Sequence, residues 1–276
     1  MSVIAYLYSS SVGRKLTMGL SGLFLVSFLF VHLGGNMLLF VNDEGVMFNQ
    51  FVRFMTTNPV IKVLEVVLFG GFIVHIIYAA ILTAKNNEAR PVKYAYSKGN
   101  AGSSTWFSRN MGLSGTIMLI FLIVHVTMFW GKFHFGGGRE VPIEQAYHQV
   151  WKVKEVPEIK NDLGEVVLAH EGYINREALE IMKAQGITTV NAISMTDVVN
   201  YSFSNILVVL LYVVAMVLLS FHLNHGFQSA FRSVGFVHSK YTPALKGLGL
   251  IISVVFPAIF AAMPIWYFIK LTLLPH

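Results

Sequence analysis

Cysteine is missing from the 276-residue chain. That excludes disulfides, thiolate metal sites and cysteine-ligated iron–sulfur clusters within it. Charge is scarce as well. Only 12% of residues are charged, against about a quarter in an ordinary soluble domain. The charges cluster, and long stretches carry none. A chain that is 55% hydrophobic and patterned in this way suits spans in lipid better than one large soluble core. The net charge of +6 would fit nucleic acid or an anionic membrane surface. Its distribution favours the membrane, and no nucleic-acid partner is expected. The first apolar stretch is too long for a signal-peptide core and lacks a small-residue cleavage pattern, so it does not read as a cleaved leader.

Five stretches reach the roughly 20 residues of helix that cross a bilayer. They run over about 16–41, 60–84, 111–130, 203–227 and 248–269. The expected fold is therefore an all-α integral membrane protein, one transmembrane domain over 1–276 built as a five-helix bundle. Pro257 and Pro264 fall in the last span and are expected to kink it. Arg14, Lys15, Lys85, Arg90, Lys93, Lys98, Arg109, Arg232, Lys240 and Lys246 collect on one side against Glu88. The positive-inside rule makes that side cytoplasmic, with the amino terminus inside and the carboxyl terminus outside. The polar segment 131–201 then lies outside, as a small folded hairpin or cap. Asn175 to Gly186 reads within it as a capped helix. His134, His148 and His170 in this segment read as surface histidines.

An internal repeat is present. Met18-Gly19-Leu20-Ser21-Gly22 recurs as Met111-Gly112-Leu113-Ser114-Gly115, and in both copies a Val-His pair follows, ending at His32 and His125. Helices one, two, three and four each carry a histidine inside the apolar stretch: His32, His75, His125 and His222. Ionisable side chains are costly in lipid and mark functional sites by default. His32 lies 18 residues past Arg14 and His125 lies 16 past Arg109, about 24–27 Å from the inner charged edge. His75 and His222 each lie 10 residues before a basic residue, Lys85 and Arg232, about 15 Å from that edge. The four sort into two layers, an outer pair and an inner pair. Facing imidazoles are natural axial ligands for haem iron, and two layers make two haems. Glycines in these helices, Gly22, Gly70, Gly115 and Gly226 among them, would serve either to make room for porphyrin or to pack helices closely. Arg14, Lys15, Arg109 and Ser114 are candidate propionate partners. His225, one turn from His222 on roughly the same face, is the less favoured ligand, because the depth of His222 matches His75 better.

These residues resemble the two-haem cytochrome b subunit of succinate dehydrogenase/fumarate reductase complexes, the type with a single five-helix anchor. The resemblance rests on the single histidines of helices one to four, on Phe221-His222 followed by Gly226, Ser229 and Phe231, and on Thr83-Ala84-Lys85-Asn86-Asn87. It covers nearly all of the chain except 131–201, which is longer than expected for the family. It implies His32 with His125 for the outer haem b and His75 with His222 for the inner haem b, selecting His222 over His225. Some fumarate reductase members carry an acidic residue at the position of Ser220, so a proton path through such a residue is not expected here.

The resemblance also implies a bacterial cytoplasmic (inner) membrane location. The expected partners are an FAD-containing flavoprotein subunit and an iron–sulfur subunit on the cytoplasmic face, and a dimer of the complex is compatible with it. The dicarboxylate site would belong to another subunit. This chain would be the electron wire and the quinone site of a succinate dehydrogenase (quinone)/fumarate reductase. Electrons moving outward follow the membrane potential, worth up to about 2.3 kcal/mol per charge per 100 mV. That help suits a low-potential quinone, so menaquinone is the expected acceptor, reduced near the outer haem. Glu65 is the candidate quinone-site proton donor; its structural alternative is a local pair with Lys62. The rival class is a proton-coupled transporter with a histidine relay. A cytochrome b of the quinol:cytochrome c reductase type would need two well-separated histidines on each of two helices, and no helix here has them.

Overall fold

A computed structural model describes residues 10–89 and 110–274. Five of its helices are long and apolar enough to cross a membrane, which makes the chain a multi-pass membrane protein. The first is α1 (Ser11–Met37), prolonged by a 3-10 turn over Leu38–Phe40. After the short α2 (Val46–Thr57) come α3 (Pro59–Glu88) and α4 (Met111–Val126). A π-type turn, Thr127–Gly131, and a last turn, Lys132–Phe135, extend α4.

The next segment is mixed rather than helical. It comprises β1 (Arg139–Pro142), α5 (Ile143–His148), β2 (Lys152–Glu155), β3 (Ile159–Lys160), β4 (Val166–Leu168), β5 (Gly172–Tyr173), α6 (Arg176–Ala184), β6 (Thr189–Ile193) and α7 (Met195–Phe203). The chain ends in the spans α8 (Ile206–Ser233) and α9 (Thr242–Thr272). Every span is close to its expected place but extends past the apolar stretch. Long basic side chains near the ends, such as Lys85, Lys132 and Lys270, tolerate such extension because their heads reach water while their stems stay apolar. α8 starts later than expected because the chain breaks at Ser204–Asn205, where Asn205 Oδ1 accepts from Leu207 N at 2.9 Å. α9 passes through Pro257 and Pro264 as one element.

Two compact units divide the chain. The first takes 1–33, 64–122 and 210–264 and contains most of the helical spans. Its interior includes a cluster of Val26, Leu223, Phe227 and Ile252. α3 has no buried residue at all, and Val66 is 72% exposed. Such a surface is stable only against lipid or another apolar chain.

The second unit takes 34–63, 123–209 and 265–276. An all-α chain was the expectation, and here it needs correcting. The segment holds a four-stranded sheet in the order β1-β6-β2-β5, entirely antiparallel, and a two-stranded ribbon, β3-β4. The strands are too short for alternation to stand out in the sequence, and β1 ends on a proline. The sheet and α6 enclose a true hydrophobic core including Val153, Ala178, Met182 and Ala192, so the segment is a folded domain and not a simple hairpin. α6 is capped as its sequence predicts: Asn175 Oδ1 accepts from Ala178 N at 2.7 Å, and Gly186 turns the chain at φ 74°.

One buried amide ties this domain to α2. Asn49 Oδ1 accepts from Thr196 N at 3.2 Å and Oγ1 at 3.0 Å, and Asn49 Nδ2 donates to the Gln149 carbonyl at 2.9 Å. Asn49→Ala leaves these buried groups unmatched and should cost about 1–3 kcal/mol. The measurement is the apparent melting temperature of the detergent-solubilised protein, and an unchanged value would show that the amide does not hold the unit together.

Candidate functional site

The first unit brings two of the membrane histidines together edge-on. His75 on α3 and His222 on α8 have ring centroids 6.5 Å apart and planes inclined at 64°. An imidazole nitrogen binds a metal at about 2 Å and lies about 1 Å from its own ring centre, so two axial imidazoles on one metal bring their centroids about 6 Å apart. The observed spacing matches that of a ligand pair and also that of an edge-on ring contact.

Each ring is held from behind in the same manner. His75 Nδ1 is 3.2 Å from Ser21 Oγ on α1, and His222 Nδ1 is 3.4 Å from Ser114 Oγ on α4. Each serine hydroxyl also donates to the carbonyl three residues back, Ser21 to Met18 and Ser114 to Met111, both at 3.1 Å. A hydroxyl has one proton. With that proton on the carbonyl, the serine oxygen is free to accept from the ring, and the tautomer that matches carries its proton on Nδ1. In that tautomer Nε2 is the nitrogen without a proton.

The two halves repeat down to the glycines. A Cβ placed on Gly22 would meet the His75 ring, at 3.5 Å from Cε1 and 3.9 Å from Nδ1, and one placed on Gly115 would meet His222 Cε1, at 3.7 Å. Gly19, Gly71 and Gly112 behave differently, because a Cβ there would press within about 3 Å of Ser233, Phe24 or Thr83. Some allow helices to approach closely, whereas Gly70 and Gly226 face open space within 4 Å.

Ser114, a candidate propionate partner, has its hydroxyl 3.4 Å from His222 Nδ1. Sequence reasoning missed Ser21 altogether, although the repeat aligned it with Ser114. The ring that meets His75 is that of His222, while His225 lies one turn further along α8 and is half-buried. His32, also in the first unit, is half-buried, stacked on Phe28 with centroids 5.2 Å apart and tilted against Phe260 at 5.6 Å. His125 belongs to the second unit, where its ring lies 5.3 Å from that of Phe129, and the π-type turn begins two residues later. Such turns recur at functional positions. Arg14 and Lys15 lie in the first turn of α1, Arg14 half-buried and Lys15 exposed. Glu65 is half-buried on α3, ten residues before His75. Arg109 lies outside the described residues.

The histidines of the extramembrane segment are engaged locally. His134 stacks on Trp130 with centroids 4.5 Å apart, His148 is 3.4 Å from Glu144, and His170 Nδ1 is 3.1 Å from the Val156 carbonyl. A polar cavity of about 270 Å³ also lies in the second unit, lined in part by Glu44, Arg139, Trp151, Asp197 and Lys270. Arg139 crosses it to Asp197 at 3.3 Å and covers Trp151. Beside it stand the non-glycine residues with positive φ, Glu44 at 58° and Val150 at 57°.

Among the described residues no group of three or more His, Cys, Asp or Glu converges as a metal cage. A bare divalent ion at His75 and His222 would be short of protein ligands. A haem iron brings its own equatorial nitrogens and asks the protein for axial ligands only. The residues present therefore fit haem better than a simple metal ion. Searches against family models, curated proteins and solved structures returned no match.

Gly115→Ala should be accepted, since its Cβ lands at an ordinary contact distance. Gly115→Leu drives further carbons into the His222 ring and should lose about 1–3 kcal/mol by overpacking. Thermal unfolding of the two variants in detergent checks this; equal melting temperatures would mean the ring has space to retreat.

Proposed function

We propose that this chain is the dihaem cytochrome b membrane anchor of a succinate:quinone oxidoreductase. It links a cytoplasmic flavoprotein and iron–sulfur subunit to a quinone, with menaquinone as acceptor, in a bacterial cytoplasmic membrane. The observation that carries the reading is the His75–His222 pair, with ligand-like spacing and both Nδ1 atoms backed by serine. The absence of a third protein ligand among the described residues supports haem over a bare ion. His32 and His125 are the ligands assigned to the second haem, by their depth and by the resemblance.

Bound haem supplies one-electron redox chemistry at its iron. The protein's share is to hold the axial nitrogens, keep the rings in one tautomer and exclude water from the inner pair. Arg14, Lys15 and Arg109 are the candidate partners for propionate charge on the cytoplasmic side. Glu65 is assigned the proton delivered to reduced quinone, at the outer end of α3. The amino terminus is assigned to the cytoplasm by the basic residues. Charge moving outward is then helped by the membrane potential, by up to about 2.3 kcal/mol per charge per 100 mV.

Protein purified from its native membrane should give a b-type redox difference spectrum and two haems per chain by pyridine haemochrome. His75→Ala or His222→Ala should reduce this to about one. No haem in the native preparation would overturn the reading and bring forward a proton-coupled transporter with a histidine relay. Glu65→Gln should keep both haems and lose most quinone reduction; full quinone reduction in that variant would remove Glu65 from the site.

A further inference from the structure

The repeat and the inner histidines are joined in a way that neither helix reveals by itself. Met18-to-Gly22 lies on α1 and Met111-to-Gly115 on α4, the helices that carry His32 and His125. Yet the serines of the repeat do not serve the histidines on their own helices. Ser21 reaches across to His75 on α3, and Ser114 reaches across to His222 on α8. In each case the glycine next to the serine lies under the same ring.

We propose that Ser21 and Ser114 are positioning residues that lock the tautomer of His75 and His222 and together set the redox potential of the metal group between them. This rests on the haem reading above. In this assignment each hydroxyl donates to a backbone carbonyl, of Met18 or Met111, and accepts a hydrogen bond from the ring Nδ1–H. A ring that donates from Nδ1 is a more basic ligand at Nε2. A more basic axial ligand favours the ferric over the ferrous state, since the ferric ion carries the greater charge. Two matched serines act in the same direction, so they hold the potential of this one centre down from both sides.

The assignment differs from that of simple packing residues. Packing would need small side chains, not hydroxyls, and would not single out one of two redox centres. It also differs from a role toward the histidines of the repeat's own helices, which would move the other centre.

The test is potentiometric titration of the purified holoprotein with Ser21→Ala, Ser114→Ala and Ser21→Thr, alongside Ser27→Ala as control. Ser27 is exposed and bonds only the Phe24 carbonyl, at 2.7 Å. Both alanine variants should raise the potential of the same b haem, the one lost in His75→Ala. A tenfold weakening of the ferric preference, at the lower end of the effect of losing a ligand's outer partner, is about 59 mV for one electron. Ser21→Thr keeps the hydroxyl and should stay near wild type, as should Ser27→Ala. Loss of that haem in the alanine variant with recovery in Ser21→Thr also supports the lock. Two bound haems with unchanged potentials in the alanine variants would overturn it, as would a shift confined to the haem lost in His32→Ala. Haem lost equally in Ser21→Ala and Ser21→Thr would leave only packing, which also overturns it. Wild-type protein without haem would instead bring down the reading on which the inference rests.

Discussion

A neutral imidazole has one N–H, and in a membrane interior that hydrogen must find an acceptor. Where it goes decides what the other nitrogen can do. At His75 and His222 a serine oxygen stands at Nδ1 and also bonds a helix carbonyl. With the hydroxyl proton on the carbonyl, the bonds run in one sense from ring to backbone and Nε2 carries no proton. The proposed use of the two rings as ligands depends on that direction. A serine turned the other way would give its proton to the ring and make Nε2 the N–H side, which cannot ligate.

The helices are arranged around this need. Serine and glycine sit together in the repeat because the ring must come close enough for a hydrogen bond while the backbone stays out of its way. Gly22 and Gly115 provide the space, and Gly19 and Gly112 nearby provide close helix contact. Elsewhere the spans rely little on burial, as the fully exposed face of α3 makes plain. Lipid supplies the rest of the packing, so side-chain specificity is concentrated where polar atoms meet.

Sequence told most about the parts governed by the bilayer. The spans were legible because a fixed hydrocarbon thickness demands long apolar runs, and the His75–His222 pair because histidine is rare there. The serines were not read as histidine partners, since their targets lie on other helices and no local pattern points across a bundle. Ser114 was noticed in the repeat and for its nearness to the basic edge. The extramembrane sheet was missed for a different reason. Strands as short as β3 and β5 leave little periodicity, and the core they share with α6 comes from residues far apart in the chain. Asn175 and Gly186, by contrast, mark the ends of α6 through interactions within a few residues, and those ends were readable.

The sheet order has a further meaning. β1 and β6, the first and last strands of the domain between α4 and α8, are direct neighbours, with Arg139 opposite Ala192. The places where the chain enters and leaves the domain are thus about one strand spacing apart, close to 5 Å. A segment tied off in this way behaves as a cassette. It can be enlarged at its turns without moving the two points where it joins the chain, while the Asn49 amide still holds it to α2.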